Sequence, residues 1–481
     1  MTKPLFRHAP LAALVLALCA CASDGGVTSH ARLQTPDTLG QAPLTASASA
    51  RPAPEFWQAL GDAQLNALIS EALADSPSLK AADARIRRAQ AVTDAAGSAT
   101  RPTLSLDSDT TQQRLSENWI YPAPLAGSHR TDNRVAWDAG LELDLWGKYR
   151  AGLQGAEAQR RAAEVEAKAA RIALSTSLTR AWIEFDRLFR QRDQIDRMLA
   201  ARADIEHLQA VRIGAGLDAE FERNTQQQGT AALKTERAQV EERIGLQRDL
   251  LAALAGKGPE RGAQLSRPQL PEQLEGGLPS VLPSDLLANR PDVLINRLHV
   301  EAAARSVDMA HAAFYPSVNL KAFLGFQSIG LDNLFDPKAR IYGIDPVIRI
   351  PIFEGGRLRA DLGVKQADYD AAVEQYNATL IDAMREVTDQ ARSLEGATAQ
   401  SALARQGVDT ARRGAALVQA RVDQRLASRI QLLSAQVQVL SQERVDIDLR
   451  ARRLDTAVSL ARALGGGFTP DTNPFTLAAS H

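Results

Sequence analysis

Two thiols, Cys19 and Cys21, stand one residue apart near the start of this 481-residue chain, and no cysteine follows them. Beyond residue 21 the chain therefore has no disulfide and no thiolate chemistry. The other reactive side chains are scattered. His207, His299 and His311 each stand alone in a helical stretch, and no His/Cys/Asp cluster resembles a metal site. No Gly-rich phosphate loop follows a strand, and the glycine pairs at 276–277 and 355–356 read as turns. What remains is a pattern of charge. Glu142, Asp144, Lys321 and Arg349 alternate with apolar neighbours, and Arg212, Arg421, Arg425 and Arg429 gather beside two breaks in long helical stretches. Such groups can hold water and ions but form no catalytic constellation, so neither an enzyme nor a bound cofactor is expected.

The elements that carry these residues begin with an export signal. Lys3 and Arg7 form a positive start and Leu11–Ala20 is apolar, giving a signal peptide over 1–20 that is too short to span a bilayer. No later stretch is long and apolar enough to do so as a helix. Leu18-Cys19-Ala20-Cys21 resembles the bacterial lipobox, with a leucine at −3 and a small residue at −1. The resemblance implies a covalent lipid on Cys21; Cys19 fits less well, because Leu18 is a poor −1 residue. Ala22 stands at +2 where Asp would favour the inner membrane, so the resemblance implies the outer membrane. Residues 21–54 read as lipid anchor and linker, rich in Ser, Thr, Ala and Pro.

The net charge of −1 makes no electrostatic case for nucleic acid. The chain also repeats itself. Leu251-Ala252-Ala253-Leu254-Ala255-Gly256 returns 209 residues later as Leu460-Ala461-Arg462-Ala463-Leu464-Gly465. Upstream, Ser76-Pro77 answers Arg290-Pro291, and Arg101-Pro102 answers Tyr315-Pro316. Two long copies are too few for a solenoid. The first copy spans 55–256 and the second 284–467. A Pro/Gly-rich linker, 257–283, joins them, with a short helix expected around 284–289; a tail follows at 468–481.

Each copy opens with helices (55–74 and 77–99 in the first) and continues into a β-hairpin, 103–145 or 317–353. In the first copy Val135, Trp137, Ala139, Leu141, Leu143 and Leu145 face one way, opposite Asp138, Gly140, Glu142 and Asp144. In the second, Val318, Leu320, Ala322, Leu324 and Phe326 oppose Asn319, Lys321, Gly325 and Gln327; Tyr342, Ile344, Ile348, Ile350 and Ile352 oppose Asp345 and Arg349. Strict alternation fits either a half-buried soluble sheet or a membrane β-barrel with a wet lumen; the lipobox favours the barrel. A helical hairpin then follows, 148–255 or 357–464. Its first helices, 148–213 and 357–422, contain no proline and would each span on the order of 100 Å. Four strands cannot close a barrel and eight fill their own interior, so three chains are the smallest set that leaves a channel. An isolated coiled-coil spacer would not explain strands at matching places in both copies.

Several motifs, in order, resemble the outer-membrane efflux channel family: the TolC-like outer-membrane factors, in their lipoprotein branch. They are Glu142-Leu143-Asp144-Leu145-Trp146-Gly147-Lys148, Leu282-Pro283-Ser284-Asp285-Leu286-Leu287 with Arg290-Pro291-Asp292-Val293, Phe314-Tyr315-Pro316-Ser317, Pro351-Ile352-Phe353-Glu354-Gly355-Gly356-Arg357, and Ala463-Leu464-Gly465-Gly466-Gly467. Ile120-Tyr121-Pro122-Ala123-Pro124-Leu125 is similar to members paired with major-facilitator or aromatic-acid pumps. The likeness covers about 55–467. It implies an α+β membrane protein with an internal two-fold repeat: a homotrimer whose 12-stranded outer-membrane β-barrel continues into a long periplasmic α-helical barrel. It further implies an exit duct for drugs or toxic organic compounds, fed by a periplasmic membrane-fusion adaptor and an inner-membrane pump of the resistance-nodulation-division or major-facilitator type. A type I protein-secretion channel and a non-transport envelope lipoprotein are the alternatives.

At the helix tips the resemblance implies adaptor contacts at Arg212, Gly214, Gly216, Leu217, Leu426 and Ser428. Gate candidates are Arg421, Arg425, Arg429, Gln431 and Ser434. Here the chain departs from the family: Arg425 stands where glycine is usual, and Gln431 and Ser434 occupy positions where relatives carry a pair of aspartates. The arginines either make the constriction less friendly to cations or are solvated or paired with Asp423. For the anchor, Cys21→Ser is expected to abolish acylation yet leave the protein in the membrane fraction; fully soluble periplasmic protein would contradict this.

Overall fold

The computed structural model describes residues 25–35, 55–271 and 290–468. The expected signal peptide, both cysteines, the linker over 36–54, the helix expected at 284–289 and the end of the tail lie outside them. The described chain divides into two compact units, each drawing a segment from both sequence copies: 25–33, 86–163 and 296–376 in one, and 34–35, 55–85, 164–271, 290–295 and 377–468 in the other. The division follows packing rather than the repeat boundaries at 55–256 and 284–467.

The first unit is built on a four-stranded antiparallel sheet in the order β1-β2-β3-β4. β1 is Thr103–Arg114, β2 His129–Leu143, β3 Ser317–Ile329 and β4 Arg340–Arg349. The strand expected from Val135 begins six residues earlier, because His129–Arg134 pair with the end of β1. Leu145, Ile350 and Ile352, expected in the strands, fall beyond them; Pro351, which has no N–H to give a ladder, follows β4 closely.

The register sorts the faces. Leu106, Trp137, Leu324 and Tyr342 stand in one row across all four strands, and Leu104, Ala139, Ala322 and Ile344 in the next. This face is open: Leu104 is 68% exposed, Ile344 74% and Tyr342 77%. β1 and β4 are the two outer strands, each with one neighbour. Helices line up below the sheet. α2 (Pro77–Ser98) meets the start of α3 (Lys148–Gly214) where Thr93 Oγ1 donates to the Ala156 carbonyl at 3.2 Å. α6 (Pro291–Ala312) packs on α7 (Arg357–Asp423) through Ala310, Phe314, Leu358 and Leu362.

Residues 25–35, read as part of the anchor and linker, are docked along α7. Val27 joins the Phe314–Leu362 cluster. Ser29 Oγ donates to Asp370 at 2.6 Å, and the Gln34 N–H donates to Asn377 Oδ1 at 2.9 Å. The Ser29 hydroxyl holds the Asp370 carboxyl below its ordinary range.

The second unit holds the larger core. α1 (Ala63–Asp75) buries Leu65, Leu68 and Ile69 against Trp182, Phe185 and Leu188 of α3. Asp62 ties this together. It caps α1 through the N–H groups of Gln64 (2.9 Å) and Leu65 (3.2 Å), and accepts from Trp182 Nε1 (3.0 Å) and the Gln269 N–H (2.8 Å). The returning helices are α4 (Glu220–Leu254) and α8 (Arg429–Ala463). α3 and α7 have 67 residues each and α4 and α8 have 35 each, so the pairs match in length. The stretch expected to be an inter-repeat linker is described as far as Pro271, and over that length it is strapped down. It forms α5 (Pro259–Ala263), buries Leu265 and Leu270 in the core, and accepts from Arg450 at the Leu270 and Pro271 carbonyls (3.0 and 2.6 Å).

Arg290 explains two of the sequence motifs at once. Its guanidinium donates to Asp292 (3.0 and 2.7 Å), to Glu386 (2.7 Å) and to the Ala463 carbonyl (2.7 Å) at the end of α8. The Arg290-Pro291-Asp292 motif thus closes the helix that ends in the Ala463-Leu464-Gly465 motif. Burial opposes the Arg290 charge, but Asp292 and Glu386 more than offset it and its pKa is raised. Removing Arg290, which is buried, deprives the part-exposed Asp292 and Glu386 carboxylates and the Ala463 carbonyl of their common donor. Arg290→Ala is expected to destabilise the detergent-solubilised protein by about 3 kcal/mol, read from its denaturant midpoint; an unchanged midpoint would contradict this role.

Candidate functional site

The residues singled out for chemistry fall in two places, the polar face of the sheet and the two helix tips. On the sheet, Lys321 stands opposite Asp345 and Asn319 opposite Glu142. Arg134 forms a two-pronged bond to Asp138 (2.7 and 2.8 Å) and lies over the Phe323 ring, 5.9 Å from its centroid. Phe323 is an apolar residue on the polar face. It is covered by the arginine, and Gly343 leaves the space its ring occupies: a Cβ there would come within 2.7 Å of it. Below the strands this face continues into a cavity of about 700 Å³ lined by Glu142, Tyr149, Arg349, Glu354 and Lys365.

Asp144, expected beside Glu142 on this face, lies past the end of β2 and has another task. It accepts the N–H groups of Tyr149 (3.2 Å) and Arg150 (2.9 Å) and so caps α3. Trp146 of the same motif donates from Nε1 to the Pro316 carbonyl at 2.7 Å and stacks on Tyr315, 4.8 Å between ring centroids. The Asp144-Leu145-Trp146 and Phe314-Tyr315-Pro316 motifs therefore meet, and fix how two strands become helices.

Both tips use the same backbone turn. In the first, the Gly216 N–H donates to the Ile213 carbonyl (2.9 Å) and the Leu217 N–H to Arg212 (2.8 Å). In the second, Arg425 donates to Val422 (2.9 Å) and Leu426 to Arg421 (2.7 Å). This paired bonding is a Schellman closure, which requires a left-handed residue. Gly216 has φ 74° and Arg425 φ 61°. Arg425 is the one non-glycine residue with positive φ among the described residues. The Arg/Gly mismatch seen in the sequence is therefore a side chain forced into a glycine's conformation, at a cost of about 1 kcal/mol.

The tips differ in charge as well. Arg212 forms a two-pronged bond to Asp218 (2.7 and 2.8 Å), which holds the Asp218 carboxyl below its ordinary value of 3.8. That stabilisation is present above pH 3.8 and is lost as pH falls through the lowered value, so the pair is intact at neutral pH. At the second tip Arg421, Arg425 and Arg429 are exposed and join no ion pair among the described residues. Asp423, offered above as their partner, accepts from Gln419 instead (2.7 Å). Ser428 and Gln431, expected at the adaptor contact and the gate, form a reciprocal capping box on α8: Ser428 Oγ accepts from the Gln431 N–H (3.2 Å), and Gln431 Oε1 accepts from the Ser428 N–H (2.9 Å). Ser434 and Gly214 are exposed, as are Leu217 at 66% and Leu426 at 65%.

An open amphipathic sheet on long helical hairpins is a fold with known relatives. The family model described as outer membrane efflux protein matches residues 68–257 and again 282–466. The chain is 30% identical over 437 residues to the multidrug resistance outer membrane protein MdtP of Shigella flexneri, covering 88% of each chain. It is 33% identical over 374 residues to the fusaric acid resistance protein FusA of Burkholderia cepacia, covering 76% of this chain and 70% of that one. The crystal structure of the outer membrane protein VceC from Vibrio cholerae superposes with a TM-score of 0.80 at 34% identity, covering 87% of this chain and all of that one. The Campylobacter jejuni CmeC outer membrane channel shares the fold, with a TM-score of 0.81 at 20% identity. The chain belongs to the outer membrane efflux protein family, a family of transport proteins of the bacterial outer membrane, and its fold is α+β and mostly helical.

Replacing the strained residue tests the reading of the tips. Arg425→Gly is expected to slow amide hydrogen exchange over 424–427 by about fivefold, the equivalent of about 1 kcal/mol, and Gly216→Arg to speed it over 215–218. Faster exchange in Arg425→Gly would contradict the strain.

Proposed function

We propose that this chain is the outer-membrane exit duct of a tripartite efflux system. The observation that carries the reading is the four-stranded sheet, whose apolar face is bare and whose other face is charged and continuous with a polar cavity. A sheet in lipid must present apolar side chains outward and close on itself, because an unpaired edge in hydrocarbon is too costly. β1 and β4 are open edges, so closure falls to further copies of the chain. Three copies supply twelve strands around a wet lumen, and the two near-equal helical hairpins of each chain, read as an internal repeat, become six around the axis. No helix among the described residues is long and apolar enough to cross a membrane, which leaves the sheet as the membrane element of the described chain.

The tips are the periplasmic end. The exposed Leu217 and Leu426, beside Arg212, Gly214, Gly216 and Ser428, support contact there with a membrane-fusion adaptor, which couples the duct to an inner-membrane pump of the resistance-nodulation-division or major-facilitator type. Arg421, Arg425, Arg429, Gln431 and Ser434 surround the gate. Cys21 carries the lipid. The substrates are small organic molecules rather than proteins, a reading supported by relatives named for multidrug and fusaric acid resistance.

Purified protein in planar bilayers is expected to conduct, and more so when the tips are loosened; an absence of conductance in both forms would sink the duct and favour a structural envelope lipoprotein. With the unpaired arginines at the second tip, reversal potentials under a salt gradient are expected to show weak cation selectivity or anion selectivity. Strong cation preference would contradict that assignment of the gate.

A further inference from the structure

Beneath the sheet, α3 and α6 form a layer with two unlike sides. Tyr149 of α3 and Met309 of α6 line the polar cavity that continues the charged strand face. Further round each helix, Arg150 and Gln154 of α3 and Arg305, Asp308 and His311 of α6 line a second cavity of about 430 Å³. The first cavity takes Glu142, Ser317 and Arg349 from the charged strand face; the second takes none of these and shares only Trp146, Ala312 and Tyr315 with it, so it turns away from that face. Its roof is the stacked pair Trp146 and Tyr315, which are 50% and 48% exposed. Leu143 and Val318 are the last register pair of β2 and β3 at this end, and Trp146 and Tyr315 each stand three residues outside that pair.

If the apolar strand face meets lipid, as proposed above, this cavity lies at the boundary where acyl chains give way to headgroups. Half-exposed Trp and Tyr favour that depth. The cations beneath them suit a phosphodiester. Arg150 is 67% exposed and held only by a 3.6 Å contact to Asp144, which is itself engaged in capping α3; Arg305 reaches Asp308 at 3.0 Å and keeps further N–H donors. The cavity is built wholly from the chain's own wall: α2 packs on α3 and α7 on α6, to either side of it.

We propose that the cavity binds the headgroup of an anionic phospholipid of the inner leaflet, its phosphate on Arg150, Arg305 and His311 and its glycerol region under Trp146 and Tyr315. This rests on the membrane reading of the sheet and adds a lipid that fixes the height of the protein in the bilayer.

Native mass spectrometry of the full-length protein, released from detergent with added phosphatidylglycerol or phosphatidylcholine, tests it. Retention of phosphatidylglycerol is expected to exceed that of phosphatidylcholine by about tenfold, and Arg150→Gln with Arg305→Gln to bring the ratio below about twofold. Equal retention of the two lipids by the native protein, or an unchanged ratio in the variant, would overturn the site. Displacement of the lipid by millimolar inorganic phosphate would overturn the lipid as occupant and assign a phosphate site instead. The native comparison needs no variant to fold. Conductance of the same preparation keeps the two readings apart: a conducting protein without headgroup preference refutes this site alone.

Discussion

The structure depends on one constraint: the sheet has an apolar face that its own chain does not cover. Nine large apolar side chains on that face are exposed. At about 1.5 kcal/mol for each one left in water, the cost is on the order of 10 kcal/mol, comparable with the whole stability of a typical domain. The period of two means that no single substitution or one-residue slip relieves it, because a slip would move the charged set onto that face instead. Residence in the outer membrane fits that one mismatch. In the proposed duct, lipid covers the face and further copies of the chain pair with the edges around a wet interior.

The helical unit has the opposite character. Its solid core is confined to the region where α1, the later half of α4 and the strap over 257–271 gather round Trp182 and Phe185. Elsewhere the long helices are joined by polar contacts such as the Arg412–Glu443 ion pair (2.6 Å) and the hydrogen bond from Thr230 Oγ1 to Glu206 (2.6 Å). Toward the tips that core runs out. The last buried apolar residue of α3 is Ile205, and the next along the chain is Leu233 of α4; the second tip has a similar gap from Val408 to Leu432. A turn held by its own cap and little else opens at low cost, as the proposed gate requires. The two tips are secured differently, one by a glycine and an ion pair, the other by a capping box and a strained arginine.

The strands, the hairpin positions and the matched long helices were legible in the sequence because each rests on local periodicity. The apolar rows of β2 and β3 fell on one face as expected, since alternation fixes the side and the register follows. Residues that act through distant partners were not legible. Arg290 bonds to Glu386 and to the end of α8, and Asp144 turns away from the sheet to cap a helix. Ser29 and Gln34 tie a segment of linker-like composition to α7 through Asp370 and Asn377. Phe323 hides under a cross-strand arginine. Gln431 is a different case. Ser428-Arg429-Ile430-Gln431 is a capping-box signature open to inspection in the sequence, so this local bond was legible there as well. The Arg425 anomaly was visible as a mismatch between copies, but its strain required the backbone angle.

The central claim is that the two faces of the sheet meet two different solvents. Single cysteines placed in turn along β2 from Arg134 to Leu143, in membranes containing the assembled protein, test it directly. A water-soluble, membrane-impermeant thiol reagent should label the Arg134, Asp138, Gly140 and Glu142 positions and spare Val135, Trp137, Ala139, Leu141 and Leu143, and the buried Ala136 position with them. Labelling without that alternation, or labelling of the apolar row, would contradict the account.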